Sequence, residues 1–217
     1  MYRELRFVVV LAALVCIAGS LAAAEPGWQE LFNGKDLSAW QNAGGGDPGA
    51  GWVVEDGAMV RKERAGDAWT KERFGDFVLD LEFKTEGNSG IFIRTDDPKK
   101  CVQTGIEIQV YTPSASPSTH STGAVYDAQA PTKVADKPGV WNHIVITAKD
   151  NEIQVVMNDE KIVDMDLDRW TEAGKNPDGS KNKFSTALKD FKREGHIGFQ
   201  DHGAAVAFRN VKIKTLD

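Results

Sequence analysis

The sequence predicts an all-β protein, a two-sheet antiparallel sandwich. Three observations carry that prediction. About ten short segments alternate apolar and polar residues, turn dipeptides separate them, and almost no stretch has a helical period.

The first residues are expected to lie outside the fold. Arg3 and Arg6, the apolar run Phe7 to Ile17 and the small residues Ala22, Ala23 and Ala24 describe a secretory signal peptide over residues 1–24. The run is too short to read as a membrane span, and the residues before Cys16 do not fit a lipid-attachment site, so no stable membrane anchor is expected. Residues 25–217 then form a single domain, carrying one cysteine, Cys101, and no possible internal disulfide. Loss of Arg3, Arg6 and Glu4 moves the formal charge from −6 to −7. Such a balance argues against a nucleic-acid partner, which needs clustered Lys and Arg.

In chain order, Trp28 to Phe32 reads as a strand before the turn Asn33-Gly34. Gly44 to Gly49 matches a dinucleotide fingerprint in letters only, because Pro48 and Gly51 interrupt the helix it requires, so a surface loop is expected. Asp56-Gly57 between Trp52–Glu55 and Ala58–Arg61 is a hairpin signal. Phe77, Leu79, Leu81 and Phe83 alternate with polar residues, as a half-buried strand requires. Ser89 to Arg94 puts Ile91 and Ile93 on one face and Phe92 and Arg94 on the other.

In Gly105 to Tyr111, Ile106, Ile108 and Val110 alternate with Glu107, Gln109 and Tyr111, so a carboxylate, an amide and a phenol share one face. Residues 112–138 read as long loops around a short strand at Gly123–Tyr126. Three strands follow, at Trp141–Ala148, Glu152–Met157 and Lys161–Met165. Asp166 to Arg193 is irregular. Its Asp178, Ser180 and Asn182 resemble the start of a calcium loop but lack the glycine and the closing Glu, and Ser185–Asp190 is expected to be the one appreciable helical turn. Gly195 to Gly203 gives another strand, and a phase change at Arg209-Asn210 in the last strand predicts a β-bulge.

Arg94, Glu107 with Gln109, Gln200 and His202 are thereby predicted to line one surface suited to a hydroxyl-rich ligand. The alternative for these residues is structural: an Arg94–Glu107 ion pair, and a turn capped by His202. Asp201 is a weak second carboxylate beside Glu107, which disfavours a conventional two-acid glycosidase. Trp69 and Trp170 are candidate sugar-stacking platforms, while Trp28, Trp52 and Trp141 are expected in the core, and His120 and His143 are expected to be structural or incidental.

The segments Asn88 to Arg94, Glu107-Ile-Gln109, Gly139-Val-Trp-Asn142, Gly198 to Gly203 and Phe208-Arg-Asn210 resemble the 3-keto-disaccharide hydrolase domain family, from about Trp28 to Leu216. The resemblance implies a concanavalin A-like jelly roll, export to the bacterial periplasm or cell surface, and cleavage of 3-keto-glycosides supplied by an upstream sugar 3-dehydrogenase. It suggests His202 or Glu107 as base, Arg94 at the developing oxyanion, and Gln109 and Gln200 on hydroxyls, with Tyr111 and Asp201 as further substrate contacts. A divalent metal held by Glu107 and His202 could share the role of Arg94. Two departures stand out: Thr112 replaces the usual Asp after Glu-x-Gln, and Asp159 follows Asn158 where Gly is usual. A non-catalytic carbohydrate-binding module and a conventional glucan hydrolase are the competing readings.

Overall fold

The computed structural model describes residues 26–111 and 115–216, so the expected signal peptide at 1–24 and the departure at Thr112 lie outside the described residues. Among the described residues there are thirteen strands: β1 (Gln29–Glu30), β2 (Trp40–Gln41), β3 (Trp52–Glu55), β4 (Ala58–Arg61), β5 (Ala68–Thr70), β6 (Phe77–Thr85), β7 (Ser89–Thr95), β8 (Ile106–Val110), β9 (Asn142–Lys149), β10 (Glu152–Met157), β11 (Glu160–Asp166), β12 (His196–Phe199) and β13 (Val206–Thr215). They form two antiparallel sheets, one ordered β11-β10-β9-β6-β13-β4-β3 with β1 added to β13, the other ordered β2-β5-β12-β7-β8. This is the jelly-roll sandwich. Among the described residues no helix is long and apolar enough to cross a membrane.

The alternating residues of the large sheet, including Phe77, Leu79, Leu81, Phe83, Ile144, Ile146, Phe208 and Ile213, face inward against Ile91, Ile93, Ile106, Ile108 and Phe199 of the small one. A ring stack ties the layers together: Phe199 lies 3.8 Å from Phe208 and 4.7 Å from Trp40, centroid to centroid. Each such buried aromatic contributes about 1.5–3 kcal/mol by leaving water.

The hairpins follow their turn residues. Asp56 and Gly57 have φ of 49° and 73°, and Asn158 and Asp159 have 49° and 69°, the left-handed pair that a two-residue hairpin requires. Asp159 therefore fills the usual glycine position without changing the turn. The bulge in β13 is present: its register against β6 shifts between Arg209 and Lys212, and Asn210 has φ of 52°.

Several elements differ from expectation. Gly123–Tyr126 is no strand; only single bridges join Val125 to Ile108 and Gln129. Residues 122–126 nonetheless cover the free edge of β8, through Gln109 N to Ala124 O and Tyr126 N to Glu107 O, both 2.9 Å. The expected helical turn is a 3-10 turn at Leu188–Asp190, and the α-helical turn α1 lies elsewhere, at Cys101–Thr104. Of the tryptophans expected in the core, Trp52 is buried, whereas Trp28 and Trp141 are half-exposed and lie under Lys212 and Arg209.

Candidate functional site

Directly paired residues of antiparallel neighbours share a face, which brings Gln41, Trp69, Gly198, Phe92 and Glu107 into one row across the outer face of the small sheet. The next row joins Gly90 to Gln109, and Gln200 N donates to Gly90 O at 2.9 Å. Each row has a glycine beneath a neighbouring side chain. A Cβ on Gly198 would stand 2.3 Å from the Trp69 ring, and one on Gly90 would stand 2.7 Å from Glu107 Oε1. The Glu107 carboxylate therefore rests over Gly90 and the Trp69 indole over Gly198.

Glu107 is 7% exposed and fully partnered: Gln200 Nε2 donates to its Oε1 at 3.1 Å, and Lys183 Nζ to its Oε2 at 3.3 Å. Burial pushes its pKa above the ordinary carboxylate value; Lys183 and Gln200 offset part of that rise. Gln109 is 3% exposed and donates through Nε2 to Asn88 Oδ1 at 3.2 Å. Three buried polar atoms on this face of the small sheet, Gln109 Oε1, Gln200 Oε1 and Trp69 Nε1, have no partner among the described residues. Two of these atoms accept and one donates.

The remaining candidates are placed differently. Arg94 is not at the site. It is buried, its φ is 49°, and its guanidinium donates to Gly75 O, Asp150 O and Asp76 Oδ1 at 2.9, 2.8 and 2.6 Å. The register of β7 against β12 explains this, because Thr95 opposes His196 while Phe92 opposes Gly198. The extra β7 residue is a bulge that turns Arg94 off the face it shares in alternation with Phe92. Neither the oxyanion role nor the ion pair with Glu107 survives.

Asp201 is likewise structural: its carboxylate accepts from Arg61 Nε and Ala65 N at 2.7 Å, Gly66 N at 3.0 Å and Gly203 N at 3.1 Å. Burial opposes its charge, but the amides of Ala65, Gly203 and Gly66 with Arg61 hold its pKa below the usual value. It is also Asp201, rather than His202, that caps the turn. Trp170 is buried and donates to Asn176 Oδ1 at 2.9 Å, so it anchors the irregular segment and is no free platform. Trp69 is wholly buried and offers its N–H rather than an open ring. Tyr111 and His202 are exposed, each just beyond the end of a strand, with His202 on a shallow concavity beside Arg61 and Gly66. His143 pairs with Asp80 at 3.0 Å on the outer face of the large sheet.

The model of the 3-keto-alpha-glucoside-1,2-lyase-like domain matches residues 27–214. The chain belongs to that family. A Bacteroides thetaiotaomicron protein named 3-keto-disaccharide hydrolase is 26% identical over 229 residues, which cover 88% of this chain and 79% of that protein. A solved structure of a candidate glycosyl hydrolase from Parabacteroides distasonis has a TM-score of 0.76 at 31% identity, covering 87% of this chain and 99% of its own. A second from the same organism has a TM-score of 0.73, also at 31% identity, covering 88% and 94%.

In this member of the 3-keto-alpha-glucoside-1,2-lyase-like family the donor set around Glu107 does not fit a divalent cation. Both carboxylate oxygens already face donors, one of them an ammonium, and no group of three His, Cys, Asp or Glu among the described residues is arranged to hold a metal. Sequence reasoning missed Lys183 and Asp67. Asp67 accepts from Asp201 N at 2.8 Å and faces the Cys101 sulfur at 3.9 Å; burial raises both pKa values, that of the thiol to about 11. Neither residue lies in a periodic stretch, so no pattern marks them.

Proposed function

We propose that this chain is an exported enzyme that cleaves the glycosidic bond of 3-keto-glycosides, with Glu107 abstracting the proton at carbon 2. A ketone at carbon 3 acidifies that hydrogen. Its removal leaves an enolate, whose collapse forms the carbon 1–carbon 2 double bond and expels the glycosidic oxygen; water then adds at carbon 1 and a proton returns to carbon 2. The net reaction is hydrolysis.

The observation that carries this reading is one buried carboxylate with a raised pKa, set among unpartnered hydrogen-bonding atoms. Such a group matches a general base working near neutral pH. A two-acid glycosidase needs one carboxyl kept protonated and another kept ionised. The second carboxyl near Glu107, that of Asp67, is instead tied into the protein, accepting from Asp201 N at 2.8 Å and facing the Cys101 sulfur at 3.9 Å. Gln109, Gln200 and Trp69 orient hydroxyls, and the departing oxygen takes its proton from solvent or from His202, which is exposed three residues beyond β12. The family match and the Bacteroides relative support the substrate class. The ketone would come from a sugar 3-dehydrogenase, and the signal-like sequence of residues 1–24 supports export.

The test is incubation of the protein with a 3-keto-glucoside and with its unoxidised parent. Cleavage of the keto sugar alone is expected. Saturable binding of both without cleavage would make the chain a binding module, and cleavage of the parent would make it a conventional glycosidase.

A further inference from the structure

With Arg94 turned into the protein, the proposed enolate lacks the cation that the sequence had suggested for it. Among the described residues one cation, Lys183, touches the base. Lys183 Nζ is 3.3 Å from Glu107 Oε2 and 3.8 Å from the centroid of the Tyr126 ring. Its backbone is fixed on both sides: Lys183 N donates to Asp127 Oδ2 at 2.6 Å, and Lys183 O accepts from Gln103 Nε2 at 3.0 Å. Gln103 Oε1 also takes the amide and hydroxyl of Ser185, at 2.8 and 2.7 Å, and Phe184 is buried edge-on against Phe191. The irregular segment is thus clamped to α1 and to the loop before β9, and it delivers an ammonium over the outer face of the small sheet.

We infer that Lys183 is a catalytic residue of the proposed reaction: its ammonium hydrogen-bonds the carbon 3 oxygen of a 3-keto-glycoside and carries the negative charge that forms there as Glu107 removes the carbon 2 proton. The inference rests on the function proposed above and deepens it. The acidic hydrogen and the carbonyl oxygen sit on adjacent carbons, so a base and a donor one hydrogen bond apart can address both. The ammonium has three N–H groups, and engaging Glu107 leaves others for the substrate. The Tyr126 ring supports the charge and limits where the side chain swings. No proton leaves Lys183. The electron pair of the broken C–H bond moves to the carbon 3 oxygen and returns to expel the glycosidic oxygen, while the ammonium stays charged. Fixed charge of this kind stabilises the enolate more than the ketone, so it should act on turnover rather than on ground-state binding.

The test compares Lys183→Met, Lys183→Arg and Lys183→Ala with the wild type on a 3-keto-glucoside, following cleavage and deuterium exchange at carbon 2 in D₂O. Lys183→Met should lower kcat about 10²–10³-fold with KM within a few-fold, slowing exchange and cleavage together. Lys183→Arg, which keeps a cation, should retain more activity. Ethylammonium should partly restore Lys183→Ala, a rescue that a merely structural role would not show. A Lys183→Met protein that folds and keeps kcat within about threefold of wild type overturns the inference. So does trapping of the keto sugar on Lys183 by borohydride, which would replace charge stabilisation with an iminium. If Lys183→Met does not fold, absence of ethylammonium rescue in folded Lys183→Ala overturns it equally. A wild type that cleaves no keto sugar fails the proposed function itself, and this role with it, whereas a wild type that cleaves beside unimpaired variants fails this role alone.

Discussion

Arg94→Met separates architecture from chemistry. The substitution keeps much of the buried volume and removes three charge-assisted hydrogen bonds, to Gly75 O, Asp150 O and Asp76 Oδ1. Bonds to a charged group are worth about 1.5–3 kcal/mol each, but they do not add fully. Asp76 still accepts from Asp150 N and its side chain is 24% exposed, so solvent recovers part of what it loses. The loss should therefore fall at about 3–5 kcal/mol, the range for removing one partner of a buried pair. For a domain of this size that lowers Tm by roughly 6–20 °C. The assay is thermal unfolding followed by circular dichroism, paired with kcat/KM on a 3-keto-glucoside well below the variant's Tm. Arg94→Lys, which can satisfy Asp76 but not all three acceptors, should lie between. A Tm within about 2 °C of wild type, together with a rate loss of 10² or more, would refute the structural assignment and return Arg94 to the oxyanion.

Glu107→Gln should lower the cleavage rate by roughly 10²–10⁴ while leaving the protein at least as stable at pH 7, read from kinetics and denaturant midpoints. The sign follows from its pKa, raised above the reference value of 4.5: the stability is highest below the unfolded value, falls as pH rises through the window up to the folded value, and Gln removes that fall. Wild-type kcat/KM should rise with pH along an acid limb lying above the ordinary carboxylate range. Gly90→Ala places a methyl 2.7 Å from Glu107 Oε1, so it should fold, yet cost at least about tenfold in kcat by moving the base. Asp201→Asn should cost about 3 kcal/mol at pH 7, seen in the denaturant midpoint. Because the folded pKa of Asp201 is depressed below 3.8, its contribution is present above that value and is lost as pH falls through the folded pKa, so the variant should show a shallower acid dependence.

The sheets were legible because local chemistry and tertiary packing agree there. Asp56-Gly57 sets β3 and β4 to the residue, and the alternation through Phe77 to Phe83 survives as a buried face. The row Glu107 and Gln109 was legible for the same reason, since parity fixes the face of a strand. Arg94 was not. A bulge at Ile93-Arg94 cancels the parity argument, and the pair carries no glycine or asparagine to announce it. The short β5 is three residues long, too short for alternation to show, so the sequence marks Trp69 as a candidate stacking platform, whereas the structure buries it within the sheet. Lys183 lies in a segment with no period, and its position is set by contacts with Gln103 and Asp127, 80 and 56 residues away in sequence. Distant pairings of that kind leave no mark on a local pattern.

The most direct test of Glu107 as the base follows a 3-keto-glucoside in D₂O by NMR, with wild type and Glu107→Gln side by side. The account predicts that wild type cleaves the sugar and leaves deuterium at carbon 2 of the product, and that Glu107→Gln shows neither cleavage nor exchange above background. Cleavage at the wild-type rate by Glu107→Gln, or a product that retains its carbon 2 hydrogen in full at every extent of reaction, would contradict it.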